Sequence, residues 1–405
     1  MSWFITKVAT PILVLGFLVF FHELGHFLLA KWNRVGVLKF SVGFGPALLK
    51  WRRKETTYQL SAIPLGGYVR MVGDVPDPIT GDQETDELVR GDITLSDHTF
   101  DDDPPEVRAT LADRSRWFID KGYWAKSGIV FAGPFFNLIL AFFVVFGCTY
   151  YYGQPVPDDS PTIGSVVSGS PAETAGLKSG DKVVSLNGSP IGTWADMAER
   201  IHNGDGSPLT FVVVRDGVEQ TYTAQPAEKV LTSFSGETKK RFLVGINANL
   251  RLNHVPADFM GAVKFASYWT TRKVIDTVGG IYSVFSGVVS SSELAGPVYI
   301  FQATGQQAEK GLEDVMYLMA LLSISLAVLN LLPIPILDGG HLLFFTLEAL
   351  LGPISIRKKE IAQQVGLALL LGLMVFAFKN DLTREPMPKE EKKPSWEEIG
   401  KEVPE

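Results

Sequence analysis

Long apolar runs alternate along this chain with polar, glycine-punctuated stretches. A helix that crosses a bilayer needs about 20 mostly apolar residues. Val8–Ala30, Ser127–Gly147, Val315–Leu332 and Ile361–Phe378 reach or approach that length, the last with two glutamines inside it. Only Lys7 stands as a basic residue ahead of the first run, and no small-x-small cleavage site follows it. It is therefore read as a retained span and not as a signal peptide. Lys and Arg cluster after the first run (Lys31, Arg34, Lys39), before the second (Arg114, Arg116, Lys121, Lys126) and between the third and fourth (Arg357, Lys358, Lys359). The opposite flanks are poor in both, so residues 31–126 and 333–360 are expected in the cytoplasm, with 150–312 and both termini outside.

Between the runs the pattern changes character. Leu38–Met71 reads as β structure, with Thr57–Ile63 rich in strand formers and a turn at Arg52–Glu55. Asp74–Asp113 is acidic and poor in aromatics, which predicts a disordered loop. Strand-like runs at 163–167, 182–186, 209–214 and 220–224, with a helix at Trp194–His202, predict a small, mostly β module over 161–252. Apolar positions from Phe259 to Phe285 recur at helical spacing among Lys264, Arg272, Lys273 and Asp276. Such an amphipathic helix is expected to lie on the membrane surface or to pack on the β module.

The chain is thus divided into 1–31 (first span), 32–73 (membrane-associated β region), 74–113 (acidic loop) and 114–150 (second span). There follow 161–252 (β module), 253–311 (amphipathic linker helices), 312–342 (third span and the Leu337-Asp338-Gly339 motif), 358–380 (fourth span) and 381–405 (charged tail). The fold class is an α-helical membrane bundle of about four transmembrane helices. It has a cytoplasmic-side β-hairpin or re-entrant region and an inserted, mostly β domain.

Composition narrows the function. With 37 Lys+Arg against 44 Asp+Glu the net charge is -7, which lacks the basic excess of a nucleic-acid binder. A single cysteine, Cys148, excludes an intrachain disulfide and a cysteine-rich zinc site.

The chemistry sits inside the first span. His22-Glu23-Leu24-Gly25-His26 is an HExxH motif, and residues four apart share one helix face, so both imidazoles can hold one metal. Three ionisable groups in one turn of a membrane helix need compensation, and a shared zinc supplies it. A catalytic zinc usually has three protein ligands. His98, His202, His254, Asp338 and His341 are the candidates for the third. The first and third spans run in the same direction, and Asp338 follows the end of the third, so it is taken as the ligand. His341 is then assigned to the surroundings of the site or to packing. Glu23 is the expected general base, taking a proton from a zinc-bound water. Asn137, within Gly133-Pro134-Phe135-Phe136-Asn137, and Asn330 are buried amides, read as helix–helix hydrogen-bonding groups or as substrate contacts. The strand at Thr57–Ile63, with Leu60 and Ser61, is a candidate edge for pairing with an unwound substrate.

Phe21–His26, Gly43-Phe44-Gly45-Pro46, Pro64-Leu65-Gly66-Gly67-Tyr68-Val69, Gly133-Pro134 with Asn137, and Asn330 through Leu337-Asp338-Gly339-Gly340-His341 together resemble the bacterial site-2 proteases. The resemblance spans nearly the whole chain except the acidic loop and the tail. Pro171–Leu177 with Ser179–Gly188 is similar to the PDZ signature, and Leu243-Val244-Gly245-Ile246 would then be its carboxylate loop. Relatives with two PDZ domains in tandem are known, and this chain has room for one. The resemblance implies an intramembrane zinc metalloprotease of the bacterial inner membrane, with its PDZ domain on the periplasmic side. The implied substrates are single-span proteins, such as anti-sigma factors already shortened by a site-1 protease, and signal-peptide remnants. Two rivals stand beside this reading. One is a membrane-anchored PDZ adaptor with an inert or structural metal site. The other is an ion transporter using His22, Glu23 and Asp338, against which the absence of an internal repeat speaks.

Overall fold

The computed structural model describes residues 2–74, 104–232, 238–249, 252–287 and 296–383. Most of the acidic stretch, His98 and residues 384–405 lie outside the described residues. The chain divides into two compact units, one formed by Met1–Tyr151 with Asp258–Arg384, the other by Tyr152–Ala257.

In the first unit, four helices are long and apolar enough to cross a membrane. Helix α1 (Thr10–Trp32) starts with Pro11 in its first turn, where a missing N–H costs nothing, and follows a π-turn at Ile5–Ala9. It stops where Asn33 caps Leu29 through its side chain (2.8 Å) and Arg34 turns left-handed, with φ 57°. The expected disordered loop at 74–113 is corrected at its end, where Pro105–Ala112 forms the short helix α2 and buries Val107 and Leu111 against Val72 and Trp117. Helix α3 (Tyr123–Tyr152) follows and carries Pro134 without interruption. Helices α8 (Leu312–Asn330) and α10 (Ile356–Thr383) are the other two spans. Val14 and Leu18 of α1, Leu140, Ala141 and Val145 of α3, and Val315, Ala320 and Ile324 of α8 form one buried core. Helix α6 (Phe259–Phe285) adds Ala266 to that core and sets Trp269 on Tyr317 of α8, ring centres 5.8 Å apart. Part of its apolar stripe is thus used within the helical unit, while Phe259 and Val278 stay exposed.

The third span does not run into the Leu337-Asp338-Gly339 motif as one helix. It ends at Asn330, turns through Pro333 and Pro335, and a separate helix α9 (Asp338–Leu351) begins at the motif. Two prolines in three residues remove the N–H groups that would continue α8. Gly339 and Gly340 let the new helix close on that turn, since a Cβ at either would come within 2.3 Å of the Leu331, Leu332 or Ile334 carbonyls. Helix α7 (Pro297–Lys310) precedes α8.

Strands β1 (Val37–Arg53) and β2 (Thr56–Met71) make a sheet with a double register. Residues 39–42 face 67–70 in falling order and also face 57–60 in rising order, while 49–53 face 56–60. Each long strand is therefore bent into two, giving the order 67–71, 37–42, 57–60, 49–53. Gly43, Gly45 and Gly66 adopt positive φ at the bends. The expected pairing edge at Thr57–Ile63 is corrected here. Thr57–Leu60 has neighbours on both sides, and the buried Ser61 stands opposite Ala47 with its hydroxyl 3.2 Å from that of Ser41. Leu60 thus offers no open backbone edge, and Ser61 is paired with Ala47 on one side. Among the described residues the outer positions belong to 67–71 and 47–53.

The sheet is tied to the end of α1. Lys31 Nζ donates to Glu55 Oε1 at 2.6 Å and to Thr56 Oγ1 at 2.8 Å, and Arg116 donates to the same Glu55 oxygen at 2.8 Å. Burial alone would raise the Glu55 carboxyl, but the two cations overcome it and hold it down at about 2.

In the second unit a four-stranded sheet runs β6 (Ser189–Pro190), β5 (Lys182–Leu186), β7 (Leu209–Arg215), β8 (Val218–Ala224). A second pair joins β4 (Ile163–Val166) to β11 (Ile246–Ala248). Helix α5 (Trp194–His202), capped by Thr193, buries Met197 and Ile201 against Phe211, Val213 and Val183. Asp181, fully buried, takes two hydrogen bonds from Arg215, at 2.6 and 2.7 Å.

Candidate metal centre

One turn of α1 presents His22 and His26 on its buried face, where α3 passes close. The close approach requires two glycines. A Cβ on Gly25 would stand 2.3 Å from the Ala132 carbonyl oxygen, and one on Gly133 would stand 2.2 Å from His26 Nε2 and 2.9 Å from His22 Cε1. Pro134 cannot donate to Val130, and one residue earlier the Ile129 carbonyl accepts from His26 Nδ1 at 2.9 Å. Asp338, first residue of α9, comes in from the other side.

The ligand atoms meet closely. His22 Nε2 and His26 Nε2 are 3.2 Å apart, Asp338 Oδ2 is 3.2 Å from His22 Nε2, and Asp338 Oδ1 is 3.6 Å from His26 Nε2. Among the described residues these three form the group of ligands that could hold a metal ion. Donors about 2.0–2.1 Å from a zinc in tetrahedral array stand about 3.3 Å from one another, so the spacing fits that ion.

The proton positions fit as well. Donation to Ile129 fixes the proton of His26 on Nδ1 and leaves Nε2 with a bare lone pair. The Asn137 amide lies 3.2 Å from His22 Nδ1, while its Oδ1 is buried without a hydrogen-bond partner. The two ends of a carboxamide interchange by a half-turn. With the oxygen toward His22, the His22 proton is fixed on Nδ1 and its Nε2 is bare too. Two lone pairs and a carboxylate then face one another, and Asp338 Oδ2 is itself buried with no hydrogen bond. His26 Nε2 and Asp338 Oδ2 then have no donor to accept from, and His22 Nε2 has only the Asn330 amide at 3.2 Å, a set of acceptors that calls for a cation.

The neighbouring residues take clear places. Glu23 lies half-buried between the two histidines in sequence, and a Cβ on Gly67 would come 2.9 Å from its Cγ and 2.9 Å from Val19. The sheet thus reaches the glutamate at mid-helix. Asn137 has no exposed surface and touches His22, and Ser323 donates to its backbone carbonyl at 2.8 Å. It stands behind the ligand, out of a substrate's reach, which corrects its reading as a substrate contact. Asn330, half-buried, sits 3.2 Å from His22 Nε2 and borders the ligand cluster directly. His341 packs its ring 6.3 Å from that of Phe345. His202 and His254 belong to the second unit. The Ile129 carbonyl and the two glycine contacts escaped sequence reasoning, although Gly25 inside HExxH and Gly133 before a helix proline carried the signal.

In the second unit Val244, Gly245 and Ile246 line a cleft of about 290 Å³ with Trp194, Met197 and Ile201 of α5. Gly245 has φ 84°.

Two imidazoles one helical turn apart, a carboxylate from a second helix and a glutamate beside them define a zinc metalloprotease, here with four membrane-length helices. The profile described as peptidase family M50 matches residues 10–373, and the chain belongs to that family. It is similar to a Mesorhizobium japonicum protein named "Putative zinc metalloprotease", at 38% identity over 94% of this chain and 99% of that one. It is also similar to the zinc metalloprotease RasP of Geobacillus kaustophilus, at 33% identity over 93% of this chain and 98% of the relative. The protein is a multi-pass membrane zinc metalloprotease.

Proposed function

We propose that the protein hydrolyses peptide bonds within the membrane-spanning segment of single-span membrane proteins. The observation that carries the reading is the position of the ligands. His22 and His26 lie six to ten residues inside the end of a membrane-length helix, and both are buried. His22, His26 and Asp338 would hold the zinc. When bound there, the ion acidifies a water and polarises the scissile carbonyl. Glu23 accepts the water's proton and returns it to the leaving amine. The Ile129 carbonyl and Asn137 hold the two imidazoles in the tautomers that ligation needs. Asn330 stands where it can hold backbone groups freed when the substrate helix unwinds, since a spanning helix otherwise hides its peptide bonds in its own hydrogen bonds.

An unwound strand needs an open edge. The 67–71 edge, with Gly67 against Glu23, replaces Leu60 and Ser61 as the place for it. Anti-sigma factors shortened by a site-1 protease and signal-peptide remnants are the substrates that the site-2 protease resemblance suggests. The second unit is read as one PDZ domain on the periplasmic face of the inner membrane. Its cleft between β11 and α5, with the positive-φ Gly245, supports that reading. The test is mass spectrometry of a single-span substrate lacking its ectodomain, incubated with wild type and with Glu23→Gln. A new cut inside the apolar segment, made by wild type alone, is expected. Cuts confined to the soluble flanks, or equal in both samples, would overturn the proposal.

A further inference from the structure

The turn between β1 and β2 carries Lys50, Arg52, Arg53 and Lys54, all exposed. Arg52 Nε donates to Thr57 Oγ1 at 3.1 Å, which fixes its guanidinium beside the turn. The nearest acid in sequence, Glu55, is already bound by Lys31 and Arg116. None of the four cations has an ion pair among the described residues. Farther from the turn along the same sheet Leu48 (65%), Leu49 (61%) and Ile63 (48%) are exposed, and Trp51 (57%) stands between Lys50 and Arg52.

The depth of this gradient can be read from α1. The turn is anchored at Lys31, whereas Gly67, toward the other end of the sheet, lies against Val19. Twelve helical residues rise about 18 Å, more than half of a hydrocarbon core of about 30 Å. The sheet therefore runs from mid-membrane to the surface, apolar within and cationic at the level of Trp32, which is 82% exposed. That is the profile of one bilayer leaflet. We infer that Arg52, Arg53 and Lys54, with Lys50 reaching up along the strand, bind the phosphates of anionic phospholipid headgroups, while Trp51 sits at the headgroup boundary and Leu48 and Leu49 lie among the acyl chains. Arg presents a planar fork that matches phosphate oxygens, and Lys adds a point charge. The bound headgroups hold the outer strand of the sheet that reaches Glu23.

Native mass spectrometry of the full-length protein, released from equal mixtures of phosphatidylglycerol and phosphatidylcholine, tests this. Wild type should retain phosphatidylglycerol preferentially. The variant Arg52→Gln/Arg53→Gln/Lys54→Gln should retain about tenfold less, whereas Lys178→Gln/Lys182→Gln/Lys240→Gln, on the second unit, should behave as wild type. Excess inorganic phosphate should leave the bound lipid in place. Equal retention by wild type and the turn variant, with zinc content unchanged in both, would overturn the inference and give the turn another occupant, such as the acidic residues 77–103 of the same chain. Displacement by inorganic phosphate would also overturn it, as a site for free anions. Neither readout depends on proteolysis, so failure here is distinct from failure of the proposed function.

Discussion

Replacing Gly133 by alanine sets two principles against each other. Gly133 lies inside α3, and an alanine in a helix interior is favoured over glycine by about 0.5–1 kcal/mol. Propensity alone therefore predicts a more stable protein. The site predicts the opposite. The new methyl would stand 2.2 Å from His26 Nε2 and 2.5 Å from its Cε1. That is more than about 1 Å inside van der Waals contact, so the imidazole must move by a comparable amount. The backbone of α3 cannot yield cheaply, because Gly25 and Ala132 are already in contact across the same crossing. A 1 Å misplacement at a reacting centre costs about 100-fold in rate, and overpacking costs about 1–3 kcal/mol. Gly128 and Gly147 supply the control, since a Cβ at either meets nothing within 4 Å and both lie in α3. Zinc content and cleavage of a single-span substrate should fall together in Gly133→Ala, with cleavage down about 100-fold, and remain at wild-type levels in Gly128→Ala and Gly147→Ala. Full zinc and normal cleavage in Gly133→Ala would refute the crossing geometry on which the site depends.

Other perturbations separate the parts of the site and the fold. Glu23→Gln should keep its zinc and lose about 100- to 10,000-fold in hydrolysis, measured side by side on one preparation. Asn137→Leu should lower zinc affinity about 10- to 100-fold, read by competition with a chelator, because it frees the His22 tautomer. Glu55→Gln should destabilise the first unit by about 1–3 kcal/mol in a thermal or denaturant melt, by leaving Lys31 and Arg116 facing each other. The Glu55 carboxyl drops from an ordinary value of 4.5 to about 2 on folding, so its contribution is whole above pH 4.5, declines below it and is gone below about 2. The acid sensitivity of wild type between those limits should be blunted in Glu55→Gln. Asp181→Ala should unfold the second unit, at a cost of about 3–5 kcal/mol from the stranded Arg215, and leave zinc binding in place.

Much of the architecture was legible because its signals are local. HExxH declares itself by the four-residue spacing of a helix face, and the four spans declare themselves by length. The strands 182–186 and 209–215 and the helix Trp194–His202 follow from period and capping. What was not legible depends on contacts distant in sequence. The double register of β1 and β2 is set by bends at Gly43, Gly45 and Gly66, and strand propensity cannot say that Thr57–Leu60 lies inside a sheet and not at its edge. Asn137 gives the same residue-level signal whether it faces a substrate or a ligand, and only the crossing of α1 and α3 decides. The break between α8 and α9 was written in Pro333 and Pro335, but the helix that resumes at Asp338 depends on Gly339 and Gly340 closing on the turn.

The claim on which the rest stands is that His22, His26 and Asp338 hold one zinc, with the third ligand arriving from a helix more than 300 residues away. Metal analysis of the purified wild type and of Asp338→Ala tests it most directly. One zinc per chain in the wild type, and its loss from Asp338→Ala in protein that still runs as a folded species, is the predicted result. Full zinc retained by Asp338→Ala would place the third ligand elsewhere and contradict the account.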